Sequence, residues 1–206
     1  MVGTAIKSIS HKYTEYEFLY ISTSEYDLTS MSQTRKMFNF YKPNYVIHLA
    51  ACVGGLFKNM SDKVKMLEDN MMINFNVVKC SHEYKVEKLV AWIQVNIKRQ
   101  PVISLPNAIS TLENRTGDCN EHAALLAAFC RAVGIPAKIE TGLVYLNGSF
   151  YYHAWNSVFV GRWITVDALF NQIPADVTHI AFSSGNHDMQ LDILGLIGRV
   201  KIEILD

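Results

Sequence analysis

Gly117-Asp118-Cys119-Asn120-Glu121-His122-Ala123-Ala124-Leu125-Leu126-Ala127-Ala128-Phe129-Cys130-Arg131-Ala132-Val133-Gly134 is the stretch whose reading decides the fold. Asp118 followed three residues later by Glu121 is a capping-box variant, with an acid where Ser or Thr is usual, so a helix begins at Cys119. The helix is apolar almost all round from Ala123 to Val133, which predicts a central, buried rod. Gly134 ends it and Pro136 bars its continuation. A cysteine at a helix N-terminus feels the positive end of the dipole and free amides, both of which favour the thiolate. Asp118 opposes them, and the sequence leaves that balance open.

Beyond Pro136 the chain turns strand-like. Lys138 to Leu146 alternates, Asn147-Gly148 is a hairpin turn, Ser149 to Val160 forms a second strand and Arg162 to Val166 a third. A three-residue connection at 160–162 would pair Phe159 with Trp163 and Trp155 with Asp167, leaving His153 diagonal to Asp167 on one face. A two-residue loop at 161–162 would put His153 and Asp167 on opposite faces, so a shared site requires an odd-length loop or a bulge. Cys119, His153 and Asp167, in that order, are the parts needed to make a thiolate, accept its proton and orient the acceptor. His122, one turn from Cys119, is read as a helix-packing residue, Trp155 as a buried strand aromatic, and His179 and His187 as surface or loop residues.

The 206 residues suffice for one large domain or two small ones, and half of them are hydrophobic. Zero formal charge gives no footprint for nucleic acid or an acidic membrane, and the longest apolar run, Ala123 to Cys130, is too short to span a bilayer. No secretory signal is visible at the start, and Cys52, Cys80, Cys119 and Cys130 lack disulfide-framework or zinc-finger spacing. A cytoplasmic setting is therefore expected, with no cofactor and no metal. Composition changes near residue 91. Residues 1–90 hold ten Lys and one Arg against three Lys and five Arg in 91–206, and seven of eight methionines precede the change. Two parts, 1–90 and 91–206, are expected, as a fusion of unrelated segments would leave.

Glu17 to Ser22 and Tyr45 to Ala51 read as buried parallel strands, and Asp27 to Tyr41 and Asp62 to Tyr84 as helices, an α/β order. Asp27-Leu28-Thr29, Val46-Ile47-His48-Leu49-Ala50-Ala51-Cys52-Val53-Gly54-Gly55-Leu56-Phe57 and Asn74-Phe75-Asn76-Val77-Val78 resemble the GDP-L-fucose synthase family of NADP-dependent epimerase-reductases. The resemblance covers about residues 2–90, the early part of that family's Rossmann-like nucleotide-binding domain. It implies a truncated copy: the first strand and glycine-rich turn would precede Gly3, and the amides that hold the pyrophosphate are missing. The lost strand would lie between 17–22 and 45–51, leaving a gap in the sheet. Ala50, Ala51 and Gly54 would border the cofactor in an intact relative and are read here as a strand end without ligand. Tyr84-Lys85-Val86-Glu87-Lys88 matches Y-x-x-x-K by spacing alone, with Tyr84 and Lys88 read as solvated helix-end residues.

Ala91 to Arg99 has helix character, and Asn107 to Leu112 a short helical turn. From about 91 to 206 the chain resembles the transglutaminase-like superfamily through Thr116-Gly117-Asp118-Cys119-Asn120-Glu121-His122-Ala123, Gly134-Ile135-Pro136-Ala137, Tyr152-His153-Ala154-Trp155-Asn156, Trp163-Ile164-Thr165-Val166-Asp167 and Pro174-Ala175-Asp176-Val177-Thr178-His179-Ile180. That resemblance implies a papain-like α+β fold. It assigns nucleophile, base and orienter to Cys119, His153 and Asp167, and implies a peptide or protein amide as substrate. The competing readings are a zinc site from Cys119, His122, His153 and Asp167, an inactive NADP-binding oxidoreductase fragment, and a non-catalytic fusion protein.

Overall fold

The computed structural model describes residues 2–54, 61–102 and 106–185, so His187 and Gly55-Leu56-Phe57 lie outside the described residues. Packing divides the backbone into two compact units, Met1–Tyr84 and Lys85–Asp206. In the first, α1 (Val2–Ile9) runs into a single 3-10 turn, and α2 (Met31–Tyr41) follows. The Ser30 side chain accepts the Gln33 N–H at the start of α2, and Lys42, at φ 46°, closes its end. Phe38 of α2 packs with Val77 and Cys80 of α3 (Lys63–Asn96), flanked by Leu28, Met31, Met37 and Tyr84. The buried Asn76 donates from Nδ2 to the carbonyls of Leu28 and Thr29, both at 2.9 Å, tying the loop before α2 to α3.

The strands expected at 17–22 and 45–51 are not formed. Neither segment has a ladder, and most of their large apolar side chains are exposed, Ile47 by 66% and Leu19 by 47%. Among the described residues neither segment is paired with a neighbouring strand, and without backbone partners a segment of strand composition does not become a strand. The second segment is held instead by helix side chains. Asn74 Oδ1 lies 2.9 Å from His48 Nε2, and Asn70 brackets Cys52 by accepting its N–H and donating to its carbonyl.

The helices expected at 62–84 and 91–99 are one helix of 34 residues, because nothing between Lys63 and Asn96 is a glycine or proline. Tyr84 and Lys88 are therefore mid-helix, not helix-end, residues, and the Tyr84 ring meets Phe38 at 6.4 Å between centroids. The compositional seam near residue 91 falls inside this helix. Val86, Val90 and Ile93, spaced on one helical face, enter the core of the second unit together with Ile97.

In that unit β1 (Lys98–Arg99) pairs parallel with β2 (Thr116–Gly117), and α4 (Ala108–Asn114) is capped by Asn107. Then come α5 (Cys119–Ala132), β3 (Ala137–Leu146), β4 (Ser149–Phe159), β5 (Trp163–Val166) and β6 (His179–Gly185). The four long strands form an antiparallel sheet in the order β5-β4-β3-β6. The β3–β4 hairpin turns on Asn147 and Gly148, both at positive φ, and pairs Leu146 with Ser149. The next connection is the odd-length one: Phe159 pairs with Trp163 and Asn156 with Val166. Alanines and leucines of α5 bury against the sheet, where Asn156 Nδ2 donates to the Ala123 carbonyl at 3.0 Å. No described helix is long and apolar enough to cross a membrane.

Candidate active site

Local capping chemistry sets the position of Cys119. The Asp118 side chain accepts the Asn120 N–H at 3.1 Å while Glu121 reaches back to the Asp118 N–H, also at 3.1 Å, completing the capping box. Gly117 is required by this closure, since a Cβ there would stand 2.3 Å from Glu121 Cβ. Burial pushes the Glu121 carboxyl up to about 7, with the neighbouring Asp118 adding to it. His122 has the packing role expected of it: it is buried, its Nδ1 lies 2.6 Å from the Asp118 carbonyl, and burial lowers its pKa.

Burial pushes the Cys119 thiol up to about 12, and the Asp118 charge acts in the same direction. The backbone N–H groups of Ala154 and Asn120 oppose this without overcoming it. The balance left open by the sequence thus falls to the protonated thiol, and the helix terminus alone does not make a thiolate. The Ala154 amide also locates the sulfur: it stands against β4, at the residue after His153.

His153 and Asp167 meet as the diagonal register requires. His153 Nε2 lies 2.5 Å from Asp167 Oδ2, with the two side chains 4% and 1% exposed. The imidazole stacks nearly parallel to Phe170, at 4.7 Å between centroids, and to Trp155, at 6.0 Å. Asp167 Oδ1 accepts the N–H groups of Leu169 and Phe170 at 2.8 and 3.0 Å. Burial would raise the Asp167 pKa, but the His153 hydrogen bond and charge, with bonds from His179 and the Phe170 amide, hold it below the ordinary value.

His179 corrects the sequence reading. Expected at the surface or in a loop, its side chain is 3% exposed, and its Nε2 lies 3.0 Å from Asp167 Oδ2, the oxygen that His153 also uses. It opens β6, a strand the sequence reading missed. That strand exists through its pairing with β3, which no local pattern in His179-Ile180-Ala181-Phe182 announces. The donor atoms of His153, Asp167 and His179 lie within 4.8 Å of one another. Their 2.5 and 3.0 Å spacings are those of hydrogen bonds, shorter than the roughly 3.3 Å between tetrahedral zinc ligands. A cavity of about 540 Å³ opens beside the first turn of α5, lined by Gln94, Asn96, Arg99, Arg115, His122 and Leu169 among others.

Two families match overlapping parts of this chain. Residues 75–168 fit the model of the Transglutaminase-like superfamily, and residues 4–92 that of the NAD dependent epimerase/dehydratase family. The curated relative "Probable GDP-L-fucose synthase" of Drosophila melanogaster is 34% identical over 99 residues, 47% of this chain and 31% of that protein. GDP-L-fucose synthase of Dictyostelium discoideum is 44% identical over 80 residues, 39% of this chain and 25% of that protein. The chain thus spans a third or less of the length of these relatives. A solved structure named "Putative Cysteine Protease", from Cytophaga hutchinsonii, aligns at 24% identity and a TM-score of 0.39, covering 54% of this chain and 49% of that one.

The chain is similar to the NAD dependent epimerase/dehydratase family, GDP-L-fucose synthase among its relatives, over residues 4–92 and to the Transglutaminase-like superfamily over residues 75–168.

Proposed function

We propose that the second unit performs thiol-dependent acyl transfer or amide hydrolysis, with Cys119 as nucleophile, His153 as general base and Asp167 as its orienter. The observation that carries this reading is the buried His153–Asp167 bond, formed one residue before the amide that meets the Cys119 sulfur. With Nε2 given to Asp167, Nδ1 is the ring nitrogen left for the thiol proton. Because the thiol is held protonated, the base must take its proton as the sulfur attacks.

Sulfur adds to the carbonyl carbon of a peptide or protein amide, and the oxyanion is met by the Cys119 N–H in the first turn of α5. The imidazolium returns the proton to the departing amine, leaving a thioester. Water or a second amine then loses a proton to His153 and displaces the sulfur, giving an acid or a new amide. No cofactor or metal enters these steps. Four free thiols suit a reducing, cytoplasmic setting.

Labelling by iodoacetamide, read by peptide mass spectrometry, tests the assignment. Cys119 is expected to react fastest of the four cysteines, and His153→Ala and Asp167→Ala to slow it at least tenfold. Preferential labelling of Cys52, Cys80 or Cys130, or Cys119 labelling indifferent to His153, overturns it. The epimerase-like match favours a second reading, nucleotide binding by the first unit. Saturable NADPH binding in a fluorescence titration would establish that reading; none is expected, since 17–22 and 45–51 form no sheet to carry a nucleotide.

A further inference from the structure

We infer that His179 is a positioning residue for the proposed Cys119–His153–Asp167 site, fixing the Asp167 carboxylate so that Oδ2 faces His153. The inference rests on that functional reading and adds to it a fourth side chain, drawn from a different strand.

The Asp167 carboxylate has two oxygens, each able to accept two hydrogen bonds. Oδ1 is filled by the amides of Leu169 and Phe170, and Oδ2 by His153 and His179. All four acceptor positions are occupied, which leaves the group one orientation. Removing the His179 donor leaves a buried lone pair unmet, and rotation that relieves it breaks the His153 bond. His179 is itself aimed. Its Nδ1 lies 3.2 Å from Asp176 Oδ1 and 3.3 Å from the Asp176 carbonyl. Asp176 is in turn held by Thr178 and Gln172. The run Asp176–His179–Asp167–His153 thus joins the edge strand β6 to the imidazole on β4. His179 acts on the thiol only through Asp167 and His153.

A purely structural role is the alternative, because the His179 ring also packs edge-on against Trp155, at 5.0 Å between centroids. His179→Phe keeps the ring and removes the donor. His179→Gln loses the ring but can present an amide N–H near the position of Nε2. The full chain and its His179→Ala, His179→Phe and His179→Gln variants are compared in the rate of Cys119 alkylation by iodoacetamide at pH 7. The low-field proton resonance of the His153–Asp167 bond is followed by NMR in parallel. Phe and Ala are expected to slow alkylation at least tenfold and to broaden or remove the resonance, whereas Gln stays within about threefold of the parent rate. A fast Phe variant, or a Gln variant as slow as Ala, overturns the inference. Should the Ala variant not fold, the Phe and Gln pair decides, and equal loss of folding in all three counts against it. His153→Ala separates the two levels. If it alkylates as fast as the parent, the functional reading fails; if it is slow while every His179 variant is fast, only the role of His179 falls.

Discussion

Asp167 Oδ2 accepts from His153 at 2.5 Å and from His179 at 3.0 Å, so one buried oxygen serves two rings from two strands. Asp167→Asn keeps the shape but offers an N–H or a single oxygen where two donors converge. Alkylation of Cys119 is expected to fall about a hundredfold, with stability lowered by about 2–4 kcal/mol in denaturant titration. The Asp167 pKa is held below its ordinary 3.8 in the folded state. Its contribution is therefore full above that value and is lost as pH falls through the lower, folded pKa. The parent should lose stability below about pH 4 more steeply than the Asn variant.

Without its base, Cys119 should behave as an ordinary buried thiol with a pKa near 12. In His153→Ala, alkylation is expected to climb about tenfold per pH unit between pH 7 and 10, following the thiolate fraction. A plateau near neutrality in that variant would show another group activating the sulfur.

Glu121 carries a different pH signature. Burial raises its carboxyl from 4.5 to about 7 in the folded state. The folded protein holds this proton more tightly than the unfolded chain, so its stability declines as pH rises from about 4.5 to about 7. Glu121→Gln preserves the capping acceptor and removes the charge. It is expected to gain on the order of 1–2 kcal/mol over the parent at pH 8 and little at pH 4.5, read by urea unfolding at both values.

Gly142 stands where β3 meets β6 at a register shift, and a Cβ there would come within 2.0 Å of the Ile180 carbonyl oxygen. Gly142→Ala should displace β6, cost about 2–4 kcal/mol, and slow Cys119 alkylation by drawing His179 away from Asp167. Unchanged alkylation despite a lowered melting temperature would separate the strand from the site.

Much of the second unit was legible because its signals are local. A capping box, a glycine stop and an Asn-Gly turn each set their own geometry. With the three-residue connection that the structure shows after Phe159, period-two alternation carries the register from Phe159–Trp163 to His153 and Asp167. The first unit misled for the opposite reason. Leu19 to Ile21 and Val46 to Leu49 have strand composition, but a strand is a relation between segments, and no described segment pairs with either. His179 escaped notice because it sits on a short strand whose partner, β3, lies some thirty-five residues earlier (Val144 to His179).

The sequence alone determined where α5 starts and that Cys119 heads a buried helix, since both follow from contacts along the chain. The length of the connection after Phe159, which puts His153 and Asp167 on one face, came from the structure. Tertiary structure alone decided that Cys119 rests as a thiol, that 17–22 and 45–51 form no sheet, and that His179 reaches Asp167. Each of these depends on how much water is removed from a group, or on which distant backbone pairs with it, and neither quantity is written in any local stretch of residues.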